Sequence, residues 1–219
     1  MTSSAGIQMD RIYRHQRHIY DFSRKFFLLG RDRAIAELAA RPGETVCEIG
    51  CGTARNLIRL ARRYPEARFC GIDASAAMLA TARRAVARAG LAQRIRLRQG
   101  LAESLDPERD FGLAGGFDAI LLSYTLSMIP PWQAVLHRAI RVLAPGGRLL
   151  VVDFHTQDAL PGWFRWTLRR WLARFSVEPR SEAIEFLTRQ ARTQAAALSV
   201  RSLYHDYAFV VTYRLPVGA

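Results

Sequence analysis

Strand-like runs of five to seven residues alternate along this chain with amphipathic stretches of about ten to fifteen. Strand signals stand at 45–49, 68–72, 94–98, 118–123 and 147–153, with helical patterns between them at 54–63, 75–89 and 131–143. Such alternation predicts a mostly parallel sheet with helices on both faces, because each parallel crossover needs a helix to return the chain. Ala144-Pro-Gly-Gly147 reads as a turn that ends one helix and feeds the fifth strand. Two further strand-like segments, 198–205 and 207–215, suit an antiparallel hairpin on the sheet edge, with His205 and Asp206 as turn residues. Before the first strand, residues 8–40 carry Ile12, Ile19, Phe22 and Phe26 at helical spacing, with arginines on the other faces, and predict a helical cap. Residues 156–195 predict a helical insertion or lid. The whole chain, 1–219, reads as one domain, with no internal repeat or linker.

Chemistry enters at residues 45–55, Thr-Val-Cys-Glu-Ile-Gly-Cys-Gly-Thr-Ala-Arg, where a strand pattern meets Gly-x-Gly and a helix follows. A second strand, Phe69-Cys-Gly-Ile-Asp73, ends in an acid 18 residues past Arg55. Glycines there let backbone approach a nucleoside, and the second acid suits ribose hydroxyls. In a dinucleotide fingerprint the sixth position is a third glycine; here it is Arg55, and Glu48 stands two residues before the first glycine. A carboxylate at that place repels a pyrophosphate and tolerates a sulfonium and an amino group.

The pattern Glu48-x-Gly50-x-Gly52-x-Ala54 resembles the first motif of class I S-adenosylmethionine (SAM) methyltransferases, with Ala54 in place of the usual third glycine. The resemblance implies a Rossmann-like, mostly parallel seven-stranded sheet with a C-terminal antiparallel hairpin. Ligands in such sheets bind beyond the carboxyl ends of the strands. That puts Glu48, Gly50, Cys51 and Gly52 against the methionine part of SAM and Asp73 at the ribose. Ala74 and Met78 would pack on ribose and adenine, Met78 being equally suited to the core. Gly100 and Leu101 occupy the segment with which the family clasps adenine, while Glu103 reads as a solvated helix-start residue. Ser123 and Tyr124 would face the methionine end and the acceptor, and Tyr124 also suits a core aromatic.

Ile129-Pro-Pro-Trp132 resembles the Pro-Pro-aromatic motif of nucleic-acid amino-methyltransferases. Those enzymes carry a polar residue directly before the prolines, and here it is aliphatic Ile129. Prolines at a helix start account for the segment, which argues against a nucleic-acid acceptor.

Net charge is +13, and of 32 basic residues only Lys25 is lysine. Such a charge predicts attraction to a polyanion, either nucleic acid or an anionic membrane surface. Gly162-Trp-Phe-Arg-Trp-Thr-Leu-Arg-Arg-Trp-Leu-Ala-Arg-Phe175 holds three of the four tryptophans and four arginines, without an acid. As a helix it would place Phe164, Leu168, Trp171, Leu172 and Phe175 on one stripe, flanked by Trp163 and Trp166. Arg165, Arg169 and Arg170 fall off the stripe. Basic helices rich in Trp suit a membrane interface, and the same stripe suits a lid packed on the sheet. Lys25-Phe-Phe-Leu-Leu29 is likewise interfacial or core.

The lead-in Tyr13…Ile19-Tyr-Asp21…Arg24…Gly30-Arg-Asp32, joined to the Glu48 motif, looks like the bacterial betaine-lipid N-methyltransferases, which trimethylate diacylglyceryl-homoserine. Their relatives, the phosphatidylethanolamine N-methyltransferases, share a Tyr-Asp…Gly-Arg lead-in. The resemblance implies a lipid amine acceptor, Tyr20 and Arg31 near the cofactor's carboxylate end, and Arg24 and Arg31 against an acceptor carboxylate or phosphate. Tyr13, Tyr20, Asp153 or His155 would take the departing proton, and tyrosine faces suit a growing methylammonium by ~0.5–2 kcal/mol per contact. Phosphatidylethanolamine, a quinone precursor, RNA, protein or a small molecule remain alternative acceptors, and binding of SAM without catalysis a third class.

Cys47, Cys51 and Cys70 lie on or beside the first two strands and read as small buried thiols rather than metal ligands. No ~18-residue apolar run or secretory leader is legible, so the expected location is cytoplasmic, peripheral to the inner membrane.

Overall fold

A computed structural model describes residues 28–174 and 177–218. Helix α1 (Arg31–Leu38) leads into β1 (Thr45–Ile49), α2 (Arg55–Arg63), β2 (Arg68–Asp73), α3 (Ala76–Arg88) and β3 (Ile95–Gln99). Then come α4 (Pro107–Phe111), β4 (Phe117–Ser123), α5 (Trp132–Arg141), β5 (Leu143–Phe154), α6 (Gly162–Ala173), α7 (Glu182–Thr193), β6 (Ala197–Leu203) and β7 (Ala208–Arg214). One seven-stranded sheet has the order β3-β2-β1-β4-β5-β7-β6. Strands β1 to β5 are parallel, and β7 runs antiparallel between β5 and β6. This is the predicted Rossmann-like methyltransferase fold. The predicted helices over residues 8–27 lie outside the described residues.

The central strands are apolar on both faces because both faces are covered. Val46, Phe69, Ala119, Leu121, Leu150 and Val152 face a core shared with α1, α2, α3 and α6. Their neighbours Cys47, Cys70, Ile120, Leu122, Leu149 and Val151 face α4, α5 and α7. Helix α3 buries Met78, Leu79, Ala82 and Val86, one stripe at helical spacing.

Two turns depart from the sequence reading. Ala144-Pro-Gly-Gly147 is a bulge within β5 rather than a turn before it: Phe117 pairs with Leu143 and Ala119 with Arg148, leaving the intervening residues unmatched. At the hairpin, Tyr204, His205 and Asp206 all adopt left-handed φ, at 54°, 56° and 58°, so the turn is longer than the Asp206 break alone.

Arg148, 3% exposed, fastens α1 to the sheet. Its Nε donates to the Leu38 carbonyl at 2.7 Å, one amino group to the Ala39 carbonyl at 3.1 Å, and both amino groups to Glu44 at 3.0 and 2.7 Å.

Candidate active site

Strand order reverses between β1 and β4, and a crevice opens there beyond the carboxyl ends. The β1–α2 loop is folded onto the end of β2: the amides of Gly50 and Cys51 both donate to the Ile72 carbonyl, at 2.8 and 3.1 Å. Asp73 holds the next turn on each side. One oxygen accepts the Gly52 amide at 2.7 Å and the other the Ser75 amide at 2.9 Å. Gly50 has φ +70°, and a Cβ there would meet the Thr125 side chain at 2.6 Å, so the loop needs both its backbone freedom and its empty volume. Ala54, in the place of the third glycine, also takes a left-handed φ of 61°. Alanine tolerates it at a cost of about 1–2 kcal/mol.

The cleft encloses about 190 Å³ and is lined by Gly50, Gly52, Ile72, Asp73, Ala74, Met78, Gly100, Leu101, Ala102, Glu103, Tyr124, Thr125, Met128, Ile129, Pro130 and Pro131. Eight predicted residues are thus in its wall: Gly50, Gly52, Asp73, Ala74, Met78, Gly100, Leu101 and Tyr124. Met78 and Tyr124 also belong to the core, so both readings of each hold. Tyr124 has φ +54°, donates its hydroxyl to the Leu29 carbonyl and meets Phe154 edge-on with centroids 4.7 Å apart. Burial pushes its phenol well above the ordinary range.

Glu48 lies beneath the wall, 2% exposed, and accepts a hydrogen bond from Asn56 Nδ2 at 2.7 Å. Cys51 contributes backbone only. Its thiol is buried in the core, where burial, then the Asp73 and Glu48 charges, raise it well above the ordinary thiol range. Ser123 is 5% exposed behind the cleft. Arg31, 8% exposed in the first turn of α1, is close enough to Tyr124 for its charge to act on the phenol. Tyr13, Tyr20 and Arg24 lie outside the described residues. Among the described residues no group of three His, Cys, Asp or Glu side chains is arranged to hold a metal.

Asp153 and His155 do not line the cleft. Asp153 is fully buried, accepting the Ser127 amide at 3.2 Å and the Phe154 amide at 2.8 Å. It anchors the Leu126–Met128 turn, whose last residue does line the cleft. This expected proton acceptor is therefore a support beneath the wall, because the Leu126–Met128 turn folds over the end of β5 and hydrogen-bonds to it. His155 is half-buried, its Nδ1 3.1 Å from the Thr156 hydroxyl and its ring edge-on to Phe209.

Burial lifts the Asp153 carboxyl from 3.8 to about 6, against hydrogen bonds from Ser127, Phe154 and Leu126 that lower it. The native state therefore binds this proton more tightly than the unfolded chain. The contribution is present below the unfolded value and is lost as pH rises through the native one. Asp153→Asn will gain stability relative to the parent between about pH 4 and pH 7, by on the order of 2 kcal/mol. Denaturant titrations at both pH values measure it, and a pH-independent difference would contradict it.

The 128–131 wall was missed in the sequence. Pro131 does cap α5, as read, but Ile129, Pro130 and Pro131 also form one side of the cleft. Glu103, read as solvated, is half-buried in the opposite side. Two rigid prolines immediately after a strand-end loop were the available signal.

The residues present fit SAM. Backbone around two left-handed glycines and the Asp73 carboxylate suit its polar parts, and Ile72, Met78, Leu101 and Met128 give an apolar surface for a base.

Comparison with known proteins agrees. The methyltransferase domain family matches residues 40–194. A demethylmenaquinone methyltransferase of Beutenbergia cavernae is 33% identical over 197 residues, covering 85% of this chain and 76% of that one. A trans-aconitate 2-methyltransferase of Deinococcus radiodurans is 35% identical over 118 residues, 53% of this chain and 40% of that one. Among solved structures, an O-methyltransferase family protein from Burkholderia thailandensis superposes with a TM-score of 0.72 at 20% identity, over 97% of this chain and 64% of that one. That likeness shows the fold. The chain belongs to the methyltransferase domain family, and it is a Rossmann-like methyltransferase that uses SAM.

Proposed function

We propose that this methyltransferase acts on a lipid head-group amine at a membrane surface, converting diacylglyceryl-homoserine to its N-trimethylated form. One observation carries the reading. Helix α6 buries Leu168 and Leu172 in the core beside the carboxyl ends of the strands, while Trp163 and Trp166 stand 75% and 65% exposed. Arg169 and Arg170 are exposed next to them. Two bare indoles among arginines suit the boundary between headgroups and acyl chains. No described helix is long and apolar enough to cross a membrane, so contact would be from the surface. The Tyr-Asp…Gly-Arg lead-in adds the lipid-amine preference.

SAM supplies an electrophilic methyl group. The chain's part is to hold the amine in line with it and to exclude water. Asp73 would bind the ribose hydroxyls, Gly50 and Gly52 the methionine end, and Gly100, Leu101, Ala74 and Met78 the nucleoside. Arg31, with Tyr20, would hold the cofactor carboxylate. Tyr124 and Thr125 form the wall nearest the acceptor, and Arg24 would meet the acceptor's own carboxylate. Tyr13 would take the amine proton, directly or through water.

A second reading, methylation of demethylmenaquinone, is favoured by the relative that shares 33% identity over most of both chains. Phosphatidylethanolamine is the nearest alternative amine.

Flotation with anionic phosphatidylglycerol vesicles tests the surface. Replacing Trp163 and Trp166 together with alanine will weaken vesicle binding at least about tenfold, or ~1.4 kcal/mol, with SAM affinity unchanged. Equal binding by parent and variant would remove the interfacial role of α6.

A further inference from the structure

Helices α2 and α3 are neighbours on the face of the sheet that also carries α6, and their apolar stripes share one core. Their outward charge is of one sign. Helix α2 carries four arginines and α3 three, without an acid on either. The chain has no acid at all between Asp73 and Glu103. Exposed helices are steadied by opposite charges three or four residues apart, so a run of guanidinium groups alone leaves charge that an outside anion can compensate.

The arginines converge. Arg55, Arg59 and Arg62, all exposed, line a groove of about 400 Å³ between the two helices, together with Thr53 and Thr81. Ile58 and Ala85 complete its lining with apolar side chains. Arg84 stands beside it and donates to the Thr81 hydroxyl at 3.4 Å. Among the described residues, Arg59 is the one member of this group that meets an acid, Asp32 of α1. The residues before Leu28 do not supply the missing charge, since they hold five basic and two acidic side chains. The groove adjoins the cleft. Gly52 lines the cleft and Thr53 the groove, and on α3 Met78 lines the cleft and Thr81, one turn on, the groove.

We propose that this groove binds the phosphate of an anionic lipid head group, which seats the mouth of the cleft at the membrane surface. Guanidinium forks hold phosphate oxygens in pairs, and the threonine hydroxyls add donors. The apolar lining suits the carbons that flank a lipid phosphate. Nucleic acid fits less well, because single strands are held by stacking bases on exposed rings. Among the described residues the exposed tryptophan, tyrosine and phenylalanine rings are those of Trp163, Trp166 and Tyr204, none of them on α2 or α3. The two tryptophans belong to α6, on the same face of the sheet as the groove, where indoles suit the headgroup boundary. This inference rests on the membrane-surface reading and deepens it by naming a phosphate contact.

The test uses the full chain and three probes: vesicles of phosphatidylcholine with phosphatidylglycerol, inorganic phosphate, and a uridine oligoribonucleotide. Arg55→Gln with Arg62→Gln takes two charges from the groove. Arg141→Gln with Arg192→Gln takes two from exposed positions on α5 and α7, which cover the opposite face. In flotation at low ionic strength the groove variant is expected to lose at least about tenfold in vesicle affinity, and the opposite-face variant less than about threefold. Both should melt at the parent's temperature, since all four side chains are exposed and Arg55 leaves the positive end of a helix. Equal losses in the two variants would show a diffuse charge effect and overturn the site. Phosphate or oligoribonucleotide binding that depends on the groove arginines, with vesicle binding untouched, would assign another occupant and overturn the lipid source. Flotation of the parent that depends on Trp163 and Trp166 but not on the groove arginines overturns the groove and leaves the membrane reading standing. A parent that floats with no vesicle overturns both.

Discussion

Replacing Asp73 with alanine will weaken SAM binding about a hundredfold, equivalent to ~2.7 kcal/mol. The carboxylate has two tasks at the end of β2. It accepts the Gly52 and Ser75 amides at 2.7 and 2.9 Å, which fixes the glycine loop and the start of α3. The half-buried group also lies in the cleft wall, where ribose hydroxyls would donate to its carboxylate. A hydrogen bond to a charged group contributes ~1.5–3 kcal/mol, so losing the ribose contacts and loosening the loop together account for the expected change. Asp73→Asn, which keeps one acceptor oxygen, should lose less. Calorimetry with purified protein reads both, and an alanine variant within twofold of the parent would show that the nucleoside sits elsewhere.

The second large effect is on stability. Arg148→Leu will cost on the order of 3 kcal/mol, because it takes the donor from a half-buried carboxylate and two carbonyls at once. Arg148 is 3% exposed and meets Glu44 with both amino groups, besides the carbonyls of Leu38 and Ala39. Burial alone would raise the Glu44 carboxyl, but the Arg148 hydrogen bond and charge, with the Arg41 amide, leave it below its ordinary value. Stability from Glu44 is therefore present above its unfolded pKa and is lost as pH falls through the lower native one. A typical domain has only 5–15 kcal/mol in hand. The variant should show a much lower denaturant midpoint, and Glu44→Leu combined with it should recover part of the loss. A midpoint equal to the parent's would mean that α1 is held by Ala34, Ile35 and Leu38 alone. The same helix carries Arg31 toward Tyr124.

Much of this was legible in the chain because parallel strands and amphipathic helices leave strong periodic signals. Strand β1 and helix α2 fall within one residue of their predicted bounds, and Asp73 follows the β2 pattern as the cofactor resemblance requires. What the sequence hid depends on contacts distant along the chain. Asp153 reads as a residue at the right strand end for chemistry, yet the Leu126–Met128 turn folds over it. Pro130 and Pro131 read as helix-start residues, and their second face in the cleft follows only from how the β4–α5 loop folds back. Along α6 the Phe164, Leu168, Trp171 and Leu172 stripe was legible, Phe175 lying outside the described residues, and so was the pair of tryptophans left outside it.

The central claim is that the acceptor is a lipid amine, and lipid mass spectrometry tests it most directly. A host expressing this protein should be compared with and without an enzyme that forms diacylglyceryl-homoserine. A trimethylated betaine lipid that appears only when both are present is the predicted result. An unchanged lipid profile in that doubly expressing host, with the purified protein still binding SAM, would contradict it.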